Sequence, residues 1–488
     1  MAKWIGLIVF FLGLHLARRR ERARSSLRFF FPSIRFSPGQ SFVFVFVPAL
    51  LLLPTYYCLP IRGLPNLNFA HIAILGIVCA CLLHFEYYVS LFFRRLSRFD
   101  LFIWAFFFFA VFSEYLNEPP KQPWLSDMWL NQAMRGLLEI IFPYYLAKMF
   151  LHSDGLTIAC IKSIAVCLCF NVLVCAYEWR MTDNLHVSFA EKLFQIDRLS
   201  MPSPVGFRFG WVRISGPFGH PILMAIVCAF GLILTYFSLK SRFWKKKGLL
   251  QLPVGAFVLA VLFMGLLFTL SRGPLLGFFL GVLMCGVGYA KNRYLAFTWR
   301  AGLLVMLACA SFFVVNYYKT LDQRFTGDNL APSAIYRAQL LEEYVPYIEQ
   351  KPWLGWGLIY HPRAEGFPSI DNQFLFVTLT YGFVGLSIFL LFFIVQSMRL
   401  VRRGFLSGTK ERGDRALAFT FLGLHLMLFL SFLTVYMGGQ VIQLFFVMLG
   451  WIEGYLQLSP AKSEIILNSQ KKGSLCPVIQ QSPLSSSV

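Results

Sequence analysis

The stretch "FIWAFFFFAVF", Phe102 to Phe112, holds eleven residues without a charge, a turn former or any apolar/polar alternation. Alternation is what a membrane-spanning strand shows, in segments of roughly ten residues. A continuous run belongs instead to a helix whose whole circumference meets apolar surroundings. Runs of this kind recur along all 488 residues, of which 57% are hydrophobic and 14% charged, with mean hydropathy +0.63. A soluble domain carries close to twice that charge. With about 20 apolar residues needed per crossing, about twelve segments qualify after residue 40, starting near 41, 68, 99, 131, 157, 221, 250, 273, 299, 373, 416 and 439. The expected fold class is therefore an all-α polytopic membrane protein. Cysteines such as Cys79, Cys81, Cys160, Cys167 and Cys169 lie inside these runs and read as small buried hydrophobes.

The formal net charge is +21, and its distribution carries the information. Segments 18–40, 94–98, 240–247, 291–300 and 399–415 hold Lys and Arg with very few acids, whereas 60–67, 114–130, 179–219 and 319–372 are close to balanced. The positive-inside rule puts the first set in the cytoplasm. Both termini then lie inside, and the basic total reports topology with no nucleic-acid partner. The chain divides into a basic, interfacial N-terminal segment (1–40), transmembrane helices (41–318) with a periplasmic loop at 179–220, a large periplasmic loop (319–372), further transmembrane helices (373–457) and a disordered cytoplasmic tail (458–488). The apolar stretch Trp4 to Ala17 is short for a span and reads as interfacial or re-entrant.

Function concentrates on long loops. In "APSAIYRAQLLEEYVPYIEQKPWLGWG" the spacing of Ile335, Ala338, Leu341, Val345 and Ile348 predicts an amphipathic helix on the outer membrane surface, kinked by Pro346 and ended by Pro352. The run Leu249 to Ala290 is broken at "SRGP", which becomes an outer hairpin turn with Arg272 at the bilayer edge. Gly273, Gly277 and Gly281 then form a small-residue packing face. That face argues for Arg272 buried between helices beside an anion, against the plainer reading of a snorkelling anchor. "RFGWVRISGPFGHP" sets Arg208, Arg213 and His220 just outside another helix. With Arg337 they suggest an anion at headgroup level, since a guanidinium donates two hydrogen bonds to phosphate. Acid–base candidates are His361, in "GLIYHPRAEG", and Asp371, which with Asn372 opens the helix from Gln373. The plainer roles are a surface histidine and a helix N-cap. No metal motif, P-loop or nucleotide-binding domain is present in the sequence, so no cofactor is expected.

The pieces "RISGPFGHP", "TLSRGPLLGFFLG", "YRAQLLEEYVPYIEQKPWLGWGL" and "DNQFLFVTLTYGFVGL", in this order, resemble the O-antigen ligase and Wzy-type polysaccharide polymerase superfamily over roughly Arg208 to Leu386. The resemblance implies a twelve-helix, metal-independent glycosyltransferase of the bacterial inner membrane that uses an undecaprenyl-pyrophosphate-linked saccharide at the periplasmic face. It implies Arg213, Arg272 and Arg337 as pyrophosphate ligands, with His220 and Asn372 beside them, and Asp371, His361 and Arg272 in catalysis. Membrane lipids and other polysaccharide-assembly proteins are the implied partners. Lipid A-core ligases of the family commonly carry a histidine where this chain has Asp371, which favours a polymerase of exopolysaccharide or O-antigen. The alternative class is a transporter or flippase of lipid-linked oligosaccharide, which expects broken helices and charges at mid-membrane depth. Of such features the sequence offers little beyond Arg135 and Glu139, spaced as an i,i+4 pair.

Overall fold

The computed structural model describes residues 37–59, 66–117, 128–194, 206–208, 210–244, 254–320, 331–364, 367, 369–407 and 411–471. Trp4 to Ala17 therefore lies outside the described residues. In chain order the helices are α1 Pro38–Leu52, α2 Phe69–Leu82, α3 Phe85–Arg94, α4 Arg98–Asn117, α5 Met128–Gly136, α6 Phe142–Phe150, α7 Thr157–Met181, α8 Leu185–Phe194, α9 Pro221–Lys240, α10 Val254–Phe268, α11 Arg272–Tyr289, α12 Arg293–Thr320, α13 Ala331–Gln350, α14 Gln373–Leu406, α15 Arg412–Phe432, α16 Gln440–Leu456 and α17 Pro460–Lys471. A π-helical turn, Leu137–Ile141, joins α5 to α6. Two short antiparallel hairpins complete the described residues: β1 (Cys58–Leu59) with β2 (Leu67–Asn68), and β3 (Gly206–Arg208) with β4 (Trp211–Arg213).

Each of the twelve apolar segments falls on a helix, but length and composition qualify fewer of them as spans. Among the described residues, six helices are long and apolar enough to cross a membrane, or up to eight if each bent pair is one span. The difference has a physical source. The α2/α3 pair bends by 102° and α16/α17 by 114°, while α1 and α10 are shorter than a crossing requires.

Small residues set the closest approaches. Gly277 and Gly281 on α11 lie against the backbone of Met427 and Gly423 on α15, and a Cβ on Gly423 would overlap the Gly281 carbonyl. The face expected from Gly273, Gly277 and Gly281 is thus the contact between α11 and α15, where main-chain approach replaces the hydrophobic drive that lipid does not provide. Gly450 and Gly454 of α16 play the same part against the carbonyls of Tyr144 and Lys148 on α6.

The loops gather at two ends. At one, Ile214 meets Phe268, Thr434 meets Gly273, Met437 meets Gln373, and Ser113 meets Leu354. This is called the loop end below. At the other, the basic end, Arg293 meets Ser407, Arg415 meets Gly288, and Gln457 meets Arg95.

The segment expected from residue 458 to be a disordered tail is helical over Pro460–Lys471, and residues 472–488 lie outside the described residues. Ile466 and Leu467 are buried, Ser463 bonds His152 at 3.0 Å, and Gln470 accepts from the Ile158 N–H at 3.0 Å. Glu464 accepts the Asp414 N–H at 2.7 Å, and so caps the start of α15. The buried apolar pair and these long-range bonds outweigh a polar, low-hydropathy composition.

Candidate functional site

The helix α14 carries the feature that organises the loop end. Gly382 has φ 65°, ψ −171°, so the α-helical ladder stops there and restarts. The backbone groups freed by the break are taken up by "PWLGWG". Trp356 N–H donates to Leu379 O at 3.0 Å, Gly357 N–H to Thr380 O at 2.9 Å, and Phe383 N–H to Pro352 O at 2.7 Å. Irregular backbone within a membrane bundle needs such a partner. Gly355 and Gly357 also have positive φ, and a Cβ on Gly355 or Gly382 would overlap facing main chain. From α4, Ser113 donates to Leu354 O and Thr380 O, Asn117 to Gly355 O, and Glu114 accepts the Leu358 N–H at 2.6 Å. The segment is therefore stitched to two helices.

Beyond that stitch the chain reaches His361. Its Nδ1 lies 2.8 Å from Leu358 O. A carbonyl only accepts, so Nδ1 carries the proton and Nε2 the lone pair. Burial, with help from Arg363, lowers the His361 pKa, and the Leu358 bond opposes this in part. The ring stands edge-on to Phe376 at 5.4 Å, and Phe376 packs on Tyr436 at 4.6 Å. His361 thus lies beside the first turn of α14. Asn372 caps that turn, its Oδ1 accepting from the N–H groups of Phe374 (2.9 Å) and Leu375 (3.1 Å). The cap is Asn372 rather than Asp371, which accepts from Ser369 Oγ at 2.9 Å.

The helix α13 forms as expected, but with another face inward. Leu340, Tyr344 and Ile348 are buried against Ala364, Ile370, Leu375, Phe376 and Leu379, whereas Leu341 and Val345 are exposed. The stripe of bulky side chains runs one position earlier than the aliphatic spacing implied, because Tyr344 supplies the anchor and its hydroxyl accepts from the Ala364 N–H. This face packs on protein rather than lipid. Pro346 lies inside the helix, which runs on to Gln350. The Arg337 side chain lies outside the described residues.

The motif "RISGPFGHP" is held from three sides. Glu178, near the end of α7, accepts from Ser215 N–H (3.0 Å), Ser215 Oγ (2.8 Å) and Gly216 N–H (2.9 Å). Gln440 donates to Pro217 O at 3.0 Å, and His220 Nδ1 caps α9 by accepting from Ile222 N–H at 3.2 Å. The β3–β4 hairpin docks on the turn after α10. There Arg213 Nε donates to Thr269 O at 2.9 Å and its Nη2 to Ser271 Oγ at 3.0 Å, while Arg208 donates to Leu270 O at 2.7 Å. These arginines bond carbonyls of the turn that follows α10, near the negative end of its dipole, a favourable place for cations. Burial and the neighbouring Arg208 push the Arg213 guanidinium down to about 10. His220 lies within reach of both Arg213 and Asp371. Crowding by protein lowers its pKa first, Arg213 adds to this, and Asp371 opposes it.

Arg272 is the first residue of α11, and its side chain is exposed rather than buried between helices. Leu270 takes a left-handed conformation (φ 50°), and Gly277, not Arg272, faces α15, while Gly273 meets Thr434 just beyond it. Thr434 approaches Gly273, so Arg272 borders the 433–439 loop. The structure thus brings Arg213, His220 and Asp371 together, with Arg272 one residue from the Arg213 partner Ser271. His361 and Asn372 belong to the same helix start as Asp371. Among the described residues no group of three or more His, Cys, Asp or Glu side chains is placed to hold a metal.

Residues 255–390 match the family model described as O-antigen ligase. Over these residues the chain is similar to the O-antigen ligase and Wzy-type superfamily. The O-antigen ligase match runs from α10 to the middle of α14. It takes in the Arg272 turn, α13, the "PWLGWG" stitch, His361, Asp371 and the Gly382 break, and leaves out Arg213 and His220. It points to glycan transfer by a multi-pass membrane protein. No curated protein matches the chain.

Proposed function

We propose that this protein is a membrane glycosyltransferase that moves an undecaprenyl-pyrophosphate-linked saccharide onto a hydroxyl acceptor at the periplasmic face of the bacterial inner membrane. The observation that carries the reading is the gathering of arginines and helix N-termini at the loop end. Arg208 and Arg213 spend donors on main-chain oxygens, Arg272 is exposed beside them, and α9 and α11 both begin there with the positive ends of their dipoles. A pyrophosphate is an anion that such a cluster of guanidinium groups suits. As the anomeric carbon–oxygen bond breaks, charge builds on the leaving pyrophosphate, and these groups stabilise the transition state more than the bound donor.

The acceptor hydroxyl oxygen attacks the anomeric carbon and its proton passes to a base. His361 fits, with Nε2 unprotonated and a lowered pKa that keeps it so at neutral pH. Asp371, within reach of His220, orients the acceptor side of the site. Arg337 joins the anion ligands on the family pattern. Asp371 in place of the histidine common in lipid A-core ligases supports a polymerase of exopolysaccharide or O-antigen.

The broken α14 favours one rival, a transporter of lipid-linked oligosaccharide, for which interrupted helices are a hallmark. Here the break is filled by "PWLGWG" rather than opened to a central path. The test is Arg272→Ala in the producing cell. Polymer or ligated product is expected to disappear while the protein accumulates normally, and retained product removes Arg272 from the chemistry.

A further inference from the structure

A second polar cluster lies at the loop end, and none of the groups above uses it. It draws on α2, α5, the π-helical turn, α14 and the 433–439 loop. Arg135 Nε donates to Glu139 Oε1 at 2.9 Å, and His71 Nε2 stands 3.7 Å from the same oxygen. Both contacts use Oε1. Asn68 N–H points at His71 Nδ1 (3.4 Å), and the Asn66 backbone also lies beside the ring; with Nδ1 accepting, Nε2 carries the proton. That Nε2–H is buried and has no hydrogen-bond partner among the described residues. A buried donor left this way costs free energy that a native interior rarely concedes without reason.

The cluster is reached from outside. The Arg135 side chain is 45% exposed and that of Glu139 14%, while His71 forms the floor. Tyr381, whose hydroxyl is 3.4 Å from Gln132 Nε2, and Tyr436 lie within electrostatic reach of Arg135. Glu139 sits inside the π-helical turn, whose Leu138 carbonyl is held by Gln443 at 3.2 Å. Such bulges recur at functional sites, and an ionisable group inside a membrane bundle calls for a partner.

We infer that the Arg135–Glu139–His71 cluster is a saccharide subsite, in which a sugar hydroxyl donates to Glu139 and accepts from His71. The chemistry selects the ligand. A hydroxyl both donates and accepts, which suits a carboxyl group paired with Arg135 next to a buried N–H donor. A phosphate would be repelled by Glu139, and an aliphatic chain would leave both groups unsatisfied. The tyrosines add ring surface for the sugar. Thr434 touches Gly273 beside Arg272, and Tyr436 lies two residues on, near Arg135, so roughly 7 Å of chain separates the two contacts. That spacing suits a pyrophosphate at one side of the 433–439 loop and its sugar at the other.

The inference rests on the proposed function, and two probes separate them. Affinity of purified full-length protein is measured for undecaprenyl pyrophosphate and for the lipid-linked saccharide extracted from the producing cells. Glu139→Gln is expected to weaken binding of the saccharide-bearing lipid about tenfold, as for loss of one charge-assisted hydrogen bond, and to leave undecaprenyl pyrophosphate unchanged. Equal effects on both probes, or none on either, overturn the subsite. Glu139→Asp keeps the charge and serves if the Gln variant fails to accumulate. It should show a smaller loss confined to the saccharide-bearing lipid, and an unchanged affinity overturns the subsite. Arg272→Ala should weaken both probes together. If it spares undecaprenyl pyrophosphate, the anion site of the proposed function falls, whatever Glu139 does.

Discussion

Three buried ion pairs at the basic end and the arginines of the loop-end turn hold charge in different ways. At the basic end cations meet carboxylates inside the protein: Lys148 with Asp100 at 2.6 Å, Arg403 with Asp414 at 2.8 Å, and Arg399 with Glu453 at 2.6 Å. Tyr144 adds a bond to Asp100, Ser407 a bond to Asp414, and Arg403 also donates to the Leu458 carbonyl. Each of these three cations is paired with a carboxylate within the fold. At the loop end Arg208 and Arg213 donate to carbonyls and a hydroxyl of the turn after α10. A buried ion pair serves the fold, whereas a guanidinium oriented by neutral groups beside the loops can also serve a ligand.

The sharpest way to break this contrast is at the basic end. Removing one partner of a buried pair strands the other, which costs about 3–5 kcal/mol. Arg403→Ala should therefore lower the thermal unfolding midpoint in detergent substantially, with activity falling only as folded protein is lost. A stable Arg403→Ala protein that has lost binding of undecaprenyl pyrophosphate would erase the distinction between the ends. Next in size is Gly382→Ala, which places a Cβ against the Trp353 carbonyl at a φ that side chains resist. Backbone strain of this kind costs about 1–3 kcal/mol. Protease cleavage within 351–364 should accelerate as the stitch loosens, and an unchanged cleavage rate would mean that the stitch does not depend on the break.

Arg213→Ala should do the reverse of Arg403→Ala. Its two bonds are worth about 1–3 kcal/mol together, so most stability should survive, while affinity for undecaprenyl pyrophosphate should fall tenfold or more. The smallest effect concerns His361. Its pKa lies below the ordinary value of 6.5, so the neutral, active form prevails at pH 7 and the rate should fall as pH drops through that lowered pKa. Arg363→Ala removes one of the lowering influences and should move this acid limb upward by a fraction of a pH unit. A limb that does not move takes His361 out of the role of base.

The sequence makes the helical bundle legible, because uninterrupted runs such as Phe102–Phe112 leave no other solution. The Gly273/Gly277/Gly281 face and the Arg135–Glu139 pair are equally local patterns, and both are present in the structure. Local spacing did not reveal what each arginine touches. Arg272 looked buried because its turn is tight, yet the glycine beside it takes the packing face. The α13 stripe was read from aliphatic residues when an aromatic anchor, Tyr344, sets the phase. His71, Ser113, Glu114 and Glu178 act on partners far along the chain, and no spacing rule reaches them. The break in α14 had one visible sign, the Gly of "TLTYGF", and its partner segment lies some 25 residues earlier in "PWLGWG".

The central claim is that the loop end performs glycan transfer on a lipid-linked donor. The most direct measurement is an assay of the purified protein, reconstituted in liposomes, with lipid-linked saccharide extracted from the producing cells. The account predicts transferred or lengthened glycan together with released undecaprenyl pyrophosphate, both lost in Arg272→Ala. Movement of intact lipid-linked saccharide across the bilayer with no new glycosidic bond would contradict it and identify a transporter instead.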